Sequence, residues 1–158
     1  MNTAIMQLKE ALGKKARRRL MWLADRKLAR FEQEHGLLLP EDLKDYYRMT
    51  RNPDRDLDKG MYTFYPLYHF ESVNKALGNW GGVPDYRNIV HTLNASAHCF
   101  VFADYMSHLF AYAIRLYPDN TTINEVYLIC GDQYKQVAHS FSGFIELYLN
   151  DSPELTNI

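Results

Sequence analysis

A chain of 158 residues with 47% hydrophobic and 23% charged residues has the size and balance of one self-sufficient globular domain, which excludes a low-complexity or disordered chain. No apolar run reaches the roughly 18 residues that span a bilayer, and the two cysteines lack the CxxC or Cys/His spacing of a zinc site. The net charge of −1 hides a split: residues 1–30 hold nine Lys or Arg against two acidic residues, or +7, and the rest holds nine against seventeen, or −8. A basic leading segment on an acidic body reads as an internal electrostatic clasp or as two surfaces with different partners. No signal-peptide pattern opens the chain, because its arginines follow rather than precede any apolar stretch, so a cytoplasmic protein is expected.

Residues 4–35 read as helix: Ile5, Leu8, Leu12, Ala16, Leu20, Leu23, Leu28 and Phe31 recur every three to four positions and form one apolar stripe. Gly36 suits the carboxy-terminal cap, and Pro40 with Glu41 and Asp42 suits the first turn of a second helix reaching Met49. Residues 50–60 are a polar loop. Met61–Phe70 reads as a strand split at Pro66, 71–80 as a short helix, and 78–87, with Gly81-Gly82 and Pro84, as a loop. Strands are expected near 98–105, 108–116, 125–131 and 135–139. Ser140 then caps a helix over 141–150 that carries Phe141, Phe144, Ile145 and Tyr148 on one face. Residues 151–158 read as a frayed tail.

Strands joined by such short turns are antiparallel, since a parallel crossover needs a dozen or more residues. The expected fold class is therefore α+β, an antiparallel sheet with helices packed on one face. Residues 1–24 form a basic helical extension, 25–150 a single domain and 151–158 the tail.

Catalytic signals are absent. The six histidines share no ligand spacing, Ser140-Phe141-Ser142-Gly143 is not a nucleophile elbow, and Gly81-Gly82 lacks the context of a phosphate loop. Cys99 and Cys130 sit in apolar runs as reduced core thiols. No metal and no cofactor is expected. The Lys14–Arg19 run is the one rival signal, a solvated helix face or a nucleic-acid contact.

Residues 28–47, with Phe31-Glu32, Gly36, Leu39-Pro40, the acidic pair Glu41-Asp42 and then Leu43, Tyr46 and Tyr47, resemble the opening of the SUKH superfamily. Phe102-Ala103-Asp104-Tyr105, Tyr112-Ala113-Ile114, Val126-Tyr127-Leu128 and Ala138-His139-Ser140-Phe141 follow in that family's order, so the resemblance spans about residues 25–150. Thr50-Arg51-Asn52-Pro53 stands where the family usually has Asn-Gly. The resemblance implies an α+β domain without catalytic residues. Bacterial members are largely immunity proteins that neutralise a cognate toxin, often a nuclease, and fungal relatives regulate cell-wall synthesis through protein contacts. Binding surfaces vary between members, so no residue carries over.

The expected function is a non-enzymatic protein-binding module, an immunity protein against a basic toxin, monomeric or weakly dimeric. The alternative is a regulatory or nucleic-acid-associated adaptor using the basic helix. Acidic and tyrosine residues at strand ends suit docking on a basic cleft, which nominates Asp104, Tyr105, Asp132 and Tyr134; Asp54 and Asp56 in the polar loop are a further anionic group.

Overall fold

The computed structural model describes residues 2–11, 21–49 and 60–158. Two helices open the chain, α1 (Thr3–Ala11) and α2 (Met21–His35); residues 12–20 between them, and with them the Lys14–Arg19 run, lie outside the described residues. Gly36 closes α2 at φ +62°, a left-handed conformation that glycine adopts without a Cβ penalty, and its N–H reaches the Glu32 carbonyl at 2.8 Å. Helix α3 (Glu41–Met49) follows with its two acids in the first turn, as the sequence leads one to expect.

The rest of the chain builds an antiparallel sheet of six strands: β1 (Tyr62–Phe64), β2 (Glu71–Ser72), β3 (Cys99–Tyr105), β4 (Phe110–Arg115), β5 (Val126–Cys130) and β6 (Gln133–Ala138). Their order is β1-β3-β4-β5-β6, with β2 also paired to β3. One-turn helices α4 (Val73–Ala76) and α5 (Ile89–Thr92) lie between β2 and β3. The terminal helix α6 (Phe141–Leu149) starts on Ser140, whose hydroxyl accepts the Gly143 N–H at 3.0 Å. The fold is α+β.

The long helices occupy one face. Ile5 and Leu8 of α1, Leu28 and Phe31 of α2, Leu43 and Tyr46 of α3 and Phe144 of α6 pack with Phe100, Phe102, Tyr112 and Leu128 of the sheet in the main core. Phe102 meets Phe144 edge to face at 4.9 Å and Phe141 at 5.3 Å, the geometry aromatic quadrupoles favour. The opposite face is covered as well. Tyr65, Val73, Leu77, Tyr86, Ile89 and Leu93 close over Cys99, Val101, Ala111, Ala113 and Ile129 in a second, smaller core. Alternating strand residues feed these two cores, since successive side chains point to opposite faces.

The tail does not fray. Leu155 is buried, and its carbonyl accepts the Tyr112 hydroxyl at 2.7 Å. A sequence rich in polar residues hid this, because one leucine on a single turn carries no periodic signal.

Among the described residues no helix is long and apolar enough to cross a membrane, and no three His, Cys, Asp or Glu gather as metal ligands would.

Candidate functional site

Strands β3 and β5 run the same way, so the β3–β4 turn and the β5–β6 turn lie at one end of the sheet. Met61 joins them there, its carbonyl accepting the Met106 N–H at 3.0 Å. The 79–87 loop folds onto this same end. It is closed by an antiparallel bridge between Gly81 and Asp85 and by the Tyr86 N–H on the Trp80 carbonyl at 3.0 Å. Arg87 grips Asp85 at 2.6 Å and holds that carboxyl down at a pKa of about 2.

Fully buried Tyr86 pins the loop to both turns. Its hydroxyl donates to the His108 carbonyl at 2.8 Å, with the Leu109 and Ile129 carbonyls at 3.3 and 3.4 Å. Burial pushes its pKa up, so it stays a donor through the physiological range. Gly131 has φ +63°, and a Cβ there would stand 3.2 Å from the Asp85 carbonyl oxygen. Thr92 of α5 adds a hydrogen bond to the Asp132 carbonyl at 2.7 Å.

Exposed apolar side chains stand at this end beside the Asp85–Arg87 pair and Asp132. Of the eleven large apolar side chains that the described residues leave exposed, six belong to this end: Met61, Trp80, Val83, Met106, Leu109 and Tyr134. Val83 is 102% exposed at the loop's apex and Trp80 41% exposed behind it. Single exposed hydrophobics are ordinary, whereas more than half of them falling at one end of the sheet is the distribution expected of a contact surface.

Beneath the rim lies a polar set. The Tyr65 hydroxyl donates to Asp104 Oδ2 at 2.5 Å and lies 3.4 Å from His108 Nε2, while His108 Nδ1 stands 3.4 Å from Asp104 Oδ2. The His108 ring stacks under Trp80 at 4.4 Å and 9° between planes. Met106, Ser107 and His108 all have left-handed backbones, at φ 49°, 54° and 74°. Such conformations cost non-glycine residues about 1–2 kcal/mol each, so surrounding contacts must hold the turn.

Asp104 reaches this set through a β-bulge. Register shifts between Val101 and Ala103, so Phe102 and Ala103 both serve the main core and Asp104 turns to the opposite face. It is only 4% exposed, so it is not on the surface where its strand-end position suggested. Tyr105 points to the other face and packs edge-on against Tyr62 at 4.9 Å, half-buried beside the main core. Asp132 is exposed in the β5–β6 turn, and Tyr134 is exposed on the same face as Ile129, edge-on to Tyr127. The structure thus brings Asp104, Tyr105, Asp132 and Tyr134 to one sheet end, with Tyr105 on the opposite face from Asp104 and Tyr134. Asp54 and Asp56 lie outside the described residues.

Trp80, Val83, Tyr65 and His108 were not singled out by sequence. The legible signal was Trp80 and Val83 themselves, large apolar residues inside Trp-Gly-Gly-Val-Pro, a stretch otherwise made of turn formers.

Comparison with curated proteins and with solved structures returned no match. A family model does match, over residues 23–147, from α2 through most of α6. That span takes in the sheet, the second core, most of the main core and the whole turn end just described, and it covers most of the chain, so the protein belongs to the SMI1 / KNR4 family (SUKH-1).

Proposed function

We propose that this protein is a non-enzymatic binding module of the immunity type, which neutralises a cognate toxin by docking on it through the turn end of the sheet. The observation that carries the reading is six exposed apolar side chains at one end of the sheet, two of them, Trp80 and Val83, on a loop pinned by buried Tyr86. Apolar and aromatic side chains on a firm backbone are the usual anchors of an interface, and polar groups around them supply the rim. Asp132 and the −8 charge of residues 31–158 suit a basic partner, such as a nuclease that must hold phosphates, and speed its encounter. Asp104, His108 and Tyr65 do not read as catalytic here, because the carboxylate is buried and Trp80 covers the imidazole face.

The test begins at the neighbouring genes: where one encodes a nuclease toxin domain, that domain is co-expressed with this protein. Protection of the host cell and a stable one-to-one complex support the reading. Unchecked toxicity with no complex overturns it.

One observation favours the adaptor as a second reading. On the outer face of α2, Trp22 is 57% exposed with the Arg26 guanidinium 5.9 Å from its ring centre, and Lys27 and Arg30 are exposed nearby. A cation–aromatic stripe of this kind contacts phosphates and bases. Salt-sensitive quenching of Trp22 by an oligonucleotide, lost in Arg26→Gln/Arg30→Gln, would favour this reading over toxin binding.

A further inference from the structure

We propose that Asp104 is a positioning residue: through His108 it fixes Trp80 as a pre-ordered anchor of the docking end. The inference rests on the docking reading above and names what sets that surface's shape.

Three observations carry it. First, a carboxylate within a sheet is costly to bury, and Asp104 sits opposite Ala111 on a face otherwise lined by small and apolar side chains. Its Oδ1 has no hydrogen-bond partner among the described residues, so the local packing does not account for the group. Second, among the described residues its side chain meets the Tyr65 hydroxyl at 2.5 Å and the His108 ring at 3.4 Å, and that hydroxyl itself lies 3.4 Å from His108. The bulge at Phe102 is what aims it there. Third, the left-handed turn at 106–108 is held by backbone bonds from Met106 to Met61 and from Leu109 to Tyr105, and two further grips fall on His108 itself: its ring against Asp104 and Tyr65, and its carbonyl on the Tyr86 hydroxyl.

Trp80 depends on that turn. Its ring lies flat on His108, and on another side the Gly82 backbone crowds it, since a Cβ at Gly82 would stand 3.0 Å from Nε1. A large ring already held in its bound orientation loses little freedom on docking, which is how pre-ordered paratopes gain affinity without added contacts. Asp104 therefore supports binding while itself touching no partner.

The experiment uses the full chain with Trp22→Phe, which leaves Trp80 as the one tryptophan of the two in the sequence. Acrylamide quenching and emission maximum are read for Asp104→Ala, Tyr65→Phe, His108→Ala and Asp104→Asn, each at a temperature where circular dichroism shows an intact fold. Thr92→Val removes a hydrogen bond at the same sheet end without touching the Trp80 platform, and is the control. Asp104→Ala is expected to raise the quenching constant about twofold and redden the emission as His108→Ala does. Asp104→Asn, which keeps an acceptor for Tyr65, restores most of the wild-type signal, and Thr92→Val leaves it unchanged. Should Asp104→Ala fail to fold, Tyr65→Phe, which loses one hydroxyl, gives the same reading. Wild-type quenching in a folded Asp104→Ala or Tyr65→Phe, or an equal change in Thr92→Val, overturns the proposal. Against a toxin domain that the wild-type protein binds, Asp104→Ala is expected to weaken binding about tenfold, the worth of one side chain that must be ordered on docking. A wild-type protein that ignores the toxin removes the docking reading but leaves the Trp80 result to stand or fall by fluorescence.

Discussion

Replacing Asp42 with alanine tests how the two ends of the chain are joined. Asp42 sits in the first turn of α3, yet its Oδ2 accepts both the backbone N–H of Ser142 at 2.8 Å and the Ser142 hydroxyl at 2.9 Å, across 100 residues of sequence. Its Oδ1 accepts the Leu43 N–H at 2.9 Å. The carboxylate therefore serves the amino-terminal ends of α3 and α6 at once, where both helix dipoles favour negative charge. Hydrogen bonds to charged groups contribute about 1.5–3 kcal/mol each when buried, and Asp42 is half-buried, so the pair to Ser142 is worth about 2–3 kcal/mol in all. Asp42→Ala should lower the urea unfolding free energy by that amount with an unchanged slope, and the melting temperature by about 5–10 °C. Ser142→Ala, which keeps the backbone bond, should cost about 1 kcal/mol, and the double variant should cost less than the two together. An Asp42→Ala protein within about 0.5 kcal/mol of wild type would refute the claim that this carboxylate couples the helices.

Other outcomes follow from the same geometry. Gly131→Ala places a Cβ at φ +63° and 3.2 Å from the Asp85 carbonyl, so it should cost at least about 1–2 kcal/mol in urea unfolding and loosen the 79–87 loop in hydrogen exchange. Leu155→Ala should cost about 2–4 kcal/mol by thermal unfolding, because the side chain is fully buried beside Tyr112. Burial pushes the Cys99 thiol up to about 12 and raises that of half-buried Cys130 as well, so at pH 8 a thiol reagent should modify Cys130 slowly and reach buried Cys99 only in denaturant. The folded chain keeps a Cys99 proton that the unfolded chain releases above about pH 9, so stability should fall as pH rises from about 9 toward 12. Urea midpoints across that range check the sign.

Much of the fold could be read from the sequence because its signals are local. The Leu28–Phe31 stripe, the acidic first turn at Glu41-Asp42, the cap at Ser140 and the apolar runs of β3, β4 and β5 each depend on near neighbours. The rest depends on contacts distant in sequence. Strict alternation from Cys99 would send Asp104 toward the helices, and only the bulge, set by pairing with β4, reverses it. Residues 65–98 have no long periodicity, so their role as the lid of a second core is invisible until Tyr86 and Leu77 are seen packed. Trp80 and Val83 carried a signal without a place: the loop had to be set against two turns before their exposure could mean a surface.

The central claim, docking through the turn end, is tested most directly by calorimetric titration, with Val83→Asp, of a toxin domain that the wild-type protein binds. Val83 is fully exposed and touches no core, so the fold is expected to stay intact while an acidic group replaces the apex of the contact. A loss of affinity of about 100-fold or more, matching an anchor worth about 3 kcal/mol, is the predicted result. Wild-type affinity in a folded Val83→Asp variant would contradict the account.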